Sequence, residues 1–154
     1  MVGDMVRKII LVIFALFIVG CSKNEYIICN IDVDNKVENY NMTGLYKIYY
    51  KDNFVISIEK QETYISLDED TINYFNEAKN LEYYNLNDLY DGVSYEINSS
   101  KNSVDLNVNI NLELLDIKKM VKDKKLDKDY VISNKLTKSG VVKLYETRGA
   151  ICDI

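Results

Sequence analysis

The sequence predicts an α+β protein: an antiparallel β-sheet of about five strands, with one long helix and a C-terminal helix packed on one face. Two patterns predict this class. Apolar and polar residues alternate over residues 104–112, and the alternate Asp and Asn side chains indicate one wet face, which antiparallel sheets often have and parallel sheets rarely have. Helix-start signals followed by apolar residues at helical spacing occur at residues 66–81 and at residues 139–148.

The first element along the chain is an export signal. Arg7 and Lys8 precede an uninterrupted apolar run over residues 9–19, which ends in Gly20 and Cys21. This order of charged, apolar and small residues is typical of a secretory signal peptide. The alternative is a transmembrane helix, but twelve residues rise only about 18 Å, against roughly 30 Å for the hydrocarbon core. We therefore expect residues 1–20 to be a signal peptide.

The end of this segment, Ile18-Val19-Gly20-Cys21, resembles the lipobox of bacterial lipoproteins. The resemblance implies that the Cys21 thiol receives a diacylglyceryl group and that cleavage makes Cys21 the mature N-terminus. A secretory signal that happens to contain a Cys is the alternative. Because two or more acyl chains, such as palmitate, hold a protein stably on a bilayer, the resemblance implies a lipid anchor on the extracytoplasmic face of the cell membrane.

The composition limits the classes of function. Removal of residues 1–20 leaves 134 residues, which suit one domain with its own core. We expect a short tether over residues 21–25, reaching roughly 13 Å when extended, and a single α+β domain over residues 26–154. The mature part has 17 basic and 23 acidic residues, a balance of −6 that gives no overall electrostatic footprint for nucleic acid or anionic lipid. The chain has no His, which excludes Ser-His-Asp triads and His-containing zinc sites.

Three cysteines are present, and their number bears on whether a disulfide forms. Once Cys21 carries lipid, Cys29 and Cys152 remain as an even pair in a compartment that permits disulfides. A bond between them would close a loop of about 120 residues, for which chain entropy suggests roughly 4 to 5 kcal/mol as an upper value. Two buried reduced thiols are the alternative.

Strands are predicted along the mature chain from alternation. Residues 26–33 form the first, with one apolar face made by Ile27, Cys29, Ile31 and Val33. A polar stretch over residues 34–43 leads to a hairpin of strands 45–50 and 54–65. Two more strands follow over residues 93–98 and 104–112.

The long helix is predicted to begin at Ser66-Leu67-Asp68-Glu69, which matches a capping box with Ser66 as the N-cap. The expected buried stripe consists of Ile72, Phe75, Ala78 and Leu81. Weakening near Asn85 and a stop at Gly92 are expected. The acidic residues 68–70 suit the positive end of the helix dipole better than a metal site.

Two short helical segments complete the chain. Residues 114–125 form a basic helix or turn, whose lysines either solvate an exposed face or contact anionic headgroups. These lysines are Lys118, Lys119, Lys122, Lys124 and Lys125. Ser139 is expected to cap a helix that continues through Arg148, with Gly149 at its stop and Cys152 just beyond.

This order of parts resembles the YehR-like family of small bacterial lipoproteins. The resemblance rests on the lipobox, the early Cys strand, the Tyr-rich hairpin and two short motifs, Gly92-Val93-Ser94-Tyr95 and Gly149-Ala150-Ile151-Cys152. Members often have an aromatic residue after the terminal Gly, where Ala150 stands here. The resemblance implies an α+β fold with an antiparallel sheet and no established biochemical activity.

No catalytic constellation, metal site or cofactor site is recognisable, and isolated carboxylates such as Asp88 and Asp91 suit helix capping. The first hypothesis is therefore a non-enzymatic envelope lipoprotein, held on the membrane through Cys21, with an accessory role or an envelope protein as partner. The second is a lipoprotein that binds a peptide, glycan or small molecule in a Tyr-lined groove. The third is a hydrolase working through carboxylates. The tyrosines of interest are Tyr49, Tyr50, Tyr83, Tyr84 and Tyr90.

Overall fold

The structure, a computed structural model, describes residues 25–154. The predicted signal peptide over residues 1–20, the lipidated Cys21 and all but the last residue of the tether lie outside the described residues. Within the described range, no helix combines the length and the apolar character needed to cross a membrane.

Eight strands and three helices make up the described chain. The strands are β1 (Glu25–Asn35), β2 (Tyr40–Lys51), β3 (Phe54–Ile65), β4 (Val93–Ser99), β5 (Ser103–Asn111), β6 (Val131–Ile132), β7 (Lys135–Leu136) and β8 (Ile151–Asp153). The helices are α1 (Glu69–Leu89), α2 (Ile117–Lys122) and α3 (Lys138–Glu146), with a 3-10 turn at Lys128–Tyr130.

Six strands form one antiparallel sheet in the order β4-β5-β3-β2-β1-β8, and β6 and β7 form a separate small hairpin. The predicted α+β class with an antiparallel sheet is confirmed. The sheet has one strand more than expected because β8 adds beside β1. Three residues are too few to show an alternating pattern, so this strand has no signal in the sequence.

The helices cover one face of the sheet. Ile72 of α1 packs with Met42 and Val104, and Val141 of α3 packs with Ile27 and Ile48. The opposite face carries polar side chains that include Asn30, Gln61 and Asn109, all of them exposed. The alternation along β5 therefore predicts the wet face correctly.

The predicted capping box at Ser66 is wrong. The N-cap of α1 is Asp68, whose carboxylate accepts a bond from the Asp70 amide at 3.3 Å and one from the Thr71 hydroxyl at 2.7 Å. The Ser66 hydroxyl instead donates to the Asn39 carbonyl at 2.7 Å and accepts from the Asp68 amide at 3.0 Å. Because Ser66 is held by a distant turn, the next acceptor along the chain caps the helix.

The predicted buried stripe of α1 holds only at its start. Ile72 is buried and Phe75 is partly buried, but Leu81 is 64 % exposed. Nine residues correspond to two and a half turns, so Leu81 lies on the opposite side of the helix from Ile72. Tyr83 takes the buried position, three turns after Ile72, and the helix continues without a break through Asn85.

Other boundaries move for local reasons. The second strand begins at Tyr40, five residues earlier than predicted, because a short turn over residues 36–39 joins β1 to β2. The predicted cap of the last helix, Ser139, is wrong: the Thr137 hydroxyl accepts from the Gly140 amide at 3.0 Å and caps α3. The predicted stop at Gly149 is confirmed by its φ of +92°.

Candidate functional site

The two cysteines predicted to pair lie opposite each other at the edge of the sheet. Cys29 in β1 is the register partner of Cys152 in β8, and their sulfur atoms are bonded. The bond joins residues 123 positions apart and fixes the C-terminal strand beside β1. The structure therefore contains the disulfide rather than the alternative of two reduced thiols.

The tyrosines that the sequence analysis selected do not share one surface. Tyr83 and Tyr90 are buried, at 4 % and 3 % exposure. Tyr49 and Tyr50 are half-buried on the hairpin, and only Tyr84 is largely exposed. Their aromatic rings serve the core and the hairpin more than a flat contact surface.

An ion pair is buried near the middle of β3. Lys60 and Glu62 are 9 % and 5 % exposed, and Lys60 Nζ lies 3.0 Å from Glu62 Oε1. The Tyr46 hydroxyl donates to Glu62 Oε1 and the Tyr64 hydroxyl to Oε2, each at 2.8 Å. Lys60 also donates to the Tyr83 hydroxyl at 2.6 Å. We call these five residues the Lys60–Glu62 cluster.

The alternation along β3 places this cluster on the helix-covered face. Ile58, Lys60, Glu62 and Tyr64 are all buried, whereas the residues between them face the wet side or are less buried. Tyr46 is the register partner of Lys60 in β2. The fifth member comes from α1, which crosses above.

Gly44 makes room for the cluster. It is the register partner of Glu62, and a Cβ at this position would lie 2.7 Å from the Tyr46 hydroxyl oxygen. A larger residue would therefore displace the hydroxyl that donates to Glu62. The glycine is required by close approach, since its backbone does not have a positive φ.

The cluster keeps Glu62 ionised. Burial is the largest single influence and raises the pKa of the Glu62 carboxyl. The charge of Lys60 and the hydrogen bonds from Tyr46, Lys60 and Tyr64 together outweigh burial and hold the pKa below its ordinary value. Glu62 is therefore a carboxylate at neutral pH, and both of its oxygens accept hydrogen bonds.

The surrounding tyrosines are held in their neutral form. Burial, followed by the negative charge of Glu62, raises the pKa values of Tyr46 and Tyr64 well above the ordinary value. Burial is also the main reason that the pKa of Tyr145 rises to about 12. The Tyr145 ring stacks on that of Tyr46, with 4.4 Å between ring centroids. The Tyr46 and Tyr64 hydroxyls therefore stay protonated near pH 7 and donate to Glu62.

A cavity of about 340 Å³ lies between the helices and the sheet, beside the cluster. Eleven of its 18 lining residues are Ile, Leu or Met, and they come from the sheet, from the C-terminal half of α1, from α2 and from α3. The remaining lining residues are Lys60, Glu82, Tyr83, Asn85, Lys125, Tyr145 and Arg148. The site is thus an apolar chamber with a few polar groups.

Lys60 connects the cavity to the cluster. An ammonium group has three donors, and the acceptors within the described residues are Glu62 Oε1 and the Tyr83 hydroxyl. One donor therefore remains for a further acceptor, on a side chain that lines the cavity. Lys60 is the polar group best placed to orient a molecule in the chamber.

Sequence reasoning missed Lys60 and Glu62. The signal was available, because extending the alternation from Ile58 by two and four residues puts both on the buried face. The carboxylates that it did consider, Asp88 and Asp91, are exposed near the end of α1. No group of three or more His, Cys, Asp or Glu side chains within residues 25–154 is placed to hold a metal ion.

No protein-family model matches the chain, and no curated protein matches it. Solved structures that match the chain include the NMR structure of a protein from Streptococcus pneumoniae TIGR4, which is 17 % identical, with 88 % of this chain and 90 % of that chain covered and a TM-score of 0.49. They also include the NMR structure of Escherichia coli YehR, which is 14 % identical, with 84 % of this chain and 92 % of that chain covered and a TM-score of 0.54. At this identity the comparison shows the fold alone: the chain has a YehR-like fold.

Proposed function

We propose that the protein is an extracytoplasmic lipoprotein, anchored through Cys21, whose folded domain binds a small apolar or amphipathic molecule in the cavity beside Lys60. The proposal has two parts with separate support. The anchor rests on the lipobox-like end of the signal segment. The binding function rests on the cavity.

The cavity is the observation that carries the binding function. Its volume of about 340 Å³ falls within the range of roughly 300–1,000 Å³ that is usual for small-molecule sites. It is about twice the size of an engineered apolar cavity of roughly 150 Å³ that holds benzene. Apolar walls with few polar groups are the usual composition of such sites.

The disulfide supports the extracytoplasmic part. Bonds of this kind persist in oxidising compartments and are rare in the cytosol. Modification of Cys21 leaves Cys29 and Cys152 as the remaining thiols, and the structure joins these two. The anchor, the compartment and the pairing are therefore mutually consistent.

The cluster favours binding over catalysis. Glu62 has both oxygens occupied by donors and a lowered pKa, which makes it a poor general base. It is also absent from the cavity lining, which includes Lys60. The alternative of a protein partner held by exposed tyrosines has less support, because Tyr83 and Tyr90 are buried.

Binding can be tested with a neutral dye that fluoresces in apolar surroundings, N-phenyl-1-naphthylamine. The chain has no Trp, so single Trp variants report their own surroundings. Leu86→Trp adds bulk to the cavity wall, whereas Leu81→Trp is a matched control on the exposed side of the same helix. We expect saturable dye binding by the wild type and the control. Affinity should be at least about tenfold lower in Leu86→Trp, because a misfit of even one methylene in an apolar pocket costs about 1 to 3 kcal/mol.

The emission of each variant checks its geometry. Blue-shifted emission is expected from Leu86→Trp and water-like emission from Leu81→Trp, with thermal unfolding confirming that both are folded. A folded, blue-shifted Leu86→Trp variant that binds dye as the wild type does would refute the cavity as the site. Absence of saturable binding to the wild type would refute the binding function for molecules of this class.

The anchor is tested in cells with Cys21→Ala. We expect an unprocessed precursor and no incorporation of labelled palmitate, whereas Ser22→Ala, the control, keeps both. Normal processing and acylation of Cys21→Ala would refute the lipoprotein part and leave the binding part standing.

A further inference from the structure

Residues 114–138, which lead from β5 into α3 and include Lys138, the first residue of α3, have a charge opposite to that of the rest of the chain. Residues 114–138 contain eight Lys and four Asp, a balance of +4. The chain beyond residue 20 totals −6, so everything outside this segment totals −10. We call residues 114–138 the basic segment.

Backbone contacts fix where the basic segment lies. Before it, the Leu112 amide donates to the Ile56 carbonyl at 2.9 Å, near the start of β3. At its other end, Thr137 forms a bridge with Phe54, and the Lys138 amide donates to the Asn53 carbonyl at 2.9 Å. The segment thus leaves and rejoins the sheet at the end that carries the β2–β3 turn.

The N-terminus enters at the same end. Glu25, the first described residue, is the register partner of Tyr50, which lies just before the β2–β3 turn. The turns over residues 36–39 and 100–102 lie at the opposite end, where Ser66 bonds to both Asn39 and Asn102. Whatever holds the N-terminus at a membrane therefore brings the basic segment toward it.

Among residues 25–154, the lysines of the basic segment form no ion pairs, and Lys119 Nζ donates to the Leu89 carbonyl at 2.7 Å. Within the described residues, salt bridges involve Lys36, Lys60 and Lys79. All lysines of the basic segment except the half-buried Lys138 are exposed. They are Lys118, Lys119, Lys122, Lys124, Lys125, Lys128 and Lys135.

Three of the four acidic residues of the same segment, Asp116, Asp123 and Asp127, accept hydrogen bonds from nearby groups. Asp116 caps α2 by accepting from the Lys119 amide at 2.9 Å, and Asp123 accepts from the Tyr90 hydroxyl at 2.7 Å. Exposed apolar side chains lie among the lysines: Leu114 is 62 % exposed and Ile132 is 57 % exposed. Basic and apolar side chains together are the composition of surfaces that lie in the headgroup region.

We propose that the basic segment docks on a bilayer surface that contains anionic phospholipids. The complementary charge, the unpaired lysines and the entry of the chain at the same end support this partner. The inference goes beyond the proposed function: it rests on the membrane attachment proposed there but does not require a ligand. It does give the cavity a setting, because Leu115, Ile117 and Leu126 belong to both the segment and the cavity wall.

Lysine acetylation tests the orientation. The full chain, purified from membranes in detergent, is reconstituted in vesicles of phosphatidylcholine alone or with phosphatidylglycerol, and acetylation of each Lys is followed by mass spectrometry. Lys36 and Lys101 are internal controls, because they lie in the turns at the opposite end. The readout is the same whether lipid or an uncleaved leader holds the N-terminus, and the Cys21→Ala experiment tests the anchor separately.

We expect lysines of the basic segment to react about fivefold more slowly in anionic vesicles, since the attraction between an anionic surface and each nearby Lys amounts to roughly a factor of five. High salt should restore the rate, and the two control lysines should react equally in both vesicles. Equal rates in the basic segment, or equal protection of Lys36 and Lys101, would overturn the proposal.

A matched pair of variants gives a second measurement. Lys124→Gln/Lys125→Gln should reduce the protection of the neighbouring Lys128 in anionic vesicles. Lys36→Gln/Lys101→Gln, which removes the same charge at the opposite end, should leave it unchanged. Equal effects of the two double variants would show that net charge, rather than the basic segment, controls the contact, and would overturn the proposal.

Discussion

Removal of one charge from the Lys60–Glu62 pair should destabilise the fold strongly. Glu62→Gln keeps the shape of the side chain but leaves the Lys60 ammonium buried without an opposing charge, facing neutral acceptors alone. Loss of one partner of a buried ion pair costs about 3 to 5 kcal/mol, because the other charge stays desolvated. For a domain of this size, that corresponds to a melting temperature lower by roughly 10 to 20 °C.

A double-mutant cycle isolates the interaction. Lys60→Met should cost a similar amount, because it leaves the Glu62 carboxylate with the two tyrosine donors alone. Lys60→Met/Glu62→Gln removes both charges and should lose clearly less than the sum of the single variants. Glu59→Gln, on the same strand but facing the other side, is the control and should change the unfolding free energy by less than about 0.5 kcal/mol.

Urea unfolding at pH 7 gives the unfolding free energies of the wild type, the two single variants and the double variant, and that of the Glu59→Gln control. A loss below about 1 kcal/mol for Glu62→Gln, or a double variant that loses the full sum of the single losses, would refute the reasoning. The first result would mean that the buried charge is not desolvated. The second would mean that the two side chains do not stabilise each other.

Three further predictions follow from single features. The folded-state pKa of Glu62 is below its unfolded value of 4.5, so the stability that its ionised form contributes is present above pH 4.5 and lost as the pH falls through the folded-state pKa. The unfolding free energy of Glu62→Gln should therefore fall less steeply on acidification than that of the wild type. An identical acid profile would contradict this. Cys29→Ala/Cys152→Ala should lose up to about 4 to 5 kcal/mol in urea unfolding, and an unchanged midpoint would contradict the role of the cross-link. Gly92→Ala should lower the melting temperature more than Gly149→Ala. Both positions have positive φ, but only at Gly92 would a Cβ lie 2.5 Å from a backbone oxygen. Equal melting temperatures would contradict this clash.

The alternation of apolar and polar residues predicted the sheet because it depends only on neighbouring residues within one strand. A strand with one buried face repeats every two residues, and β5 shows this period over its whole length. The pairing of Cys29 with Cys152 was predicted by counting, since no other partner remained once Cys21 was assigned to lipid. Neither inference required knowledge of which elements touch.

The errors arise where a distant contact decides a local choice. Ser66 and Asp68 both suit the start of α1, and the bond from Ser66 to Asn39 decides between them. The same holds for the cluster. Alternation places Lys60 and Glu62 on the buried face, but charged residues are almost never fully buried unless they are paired, and two of their partners, Tyr46 and Tyr83, lie on other elements.

The presence of the pair beside the cavity is itself an argument for function. Well-packed apolar residues in place of a buried ion pair are often neutral or stabilising, so stability alone does not account for Lys60 and Glu62. An apolar replacement would leave the cavity without its innermost charged donor. Glu62 fixes the position of the Lys60 ammonium, and Tyr83 restricts it further, while one donor remains for a polar group in the chamber. This arrangement suits an amphipathic ligand, whose apolar part contacts the Leu and Ile walls and whose acceptor reaches Lys60.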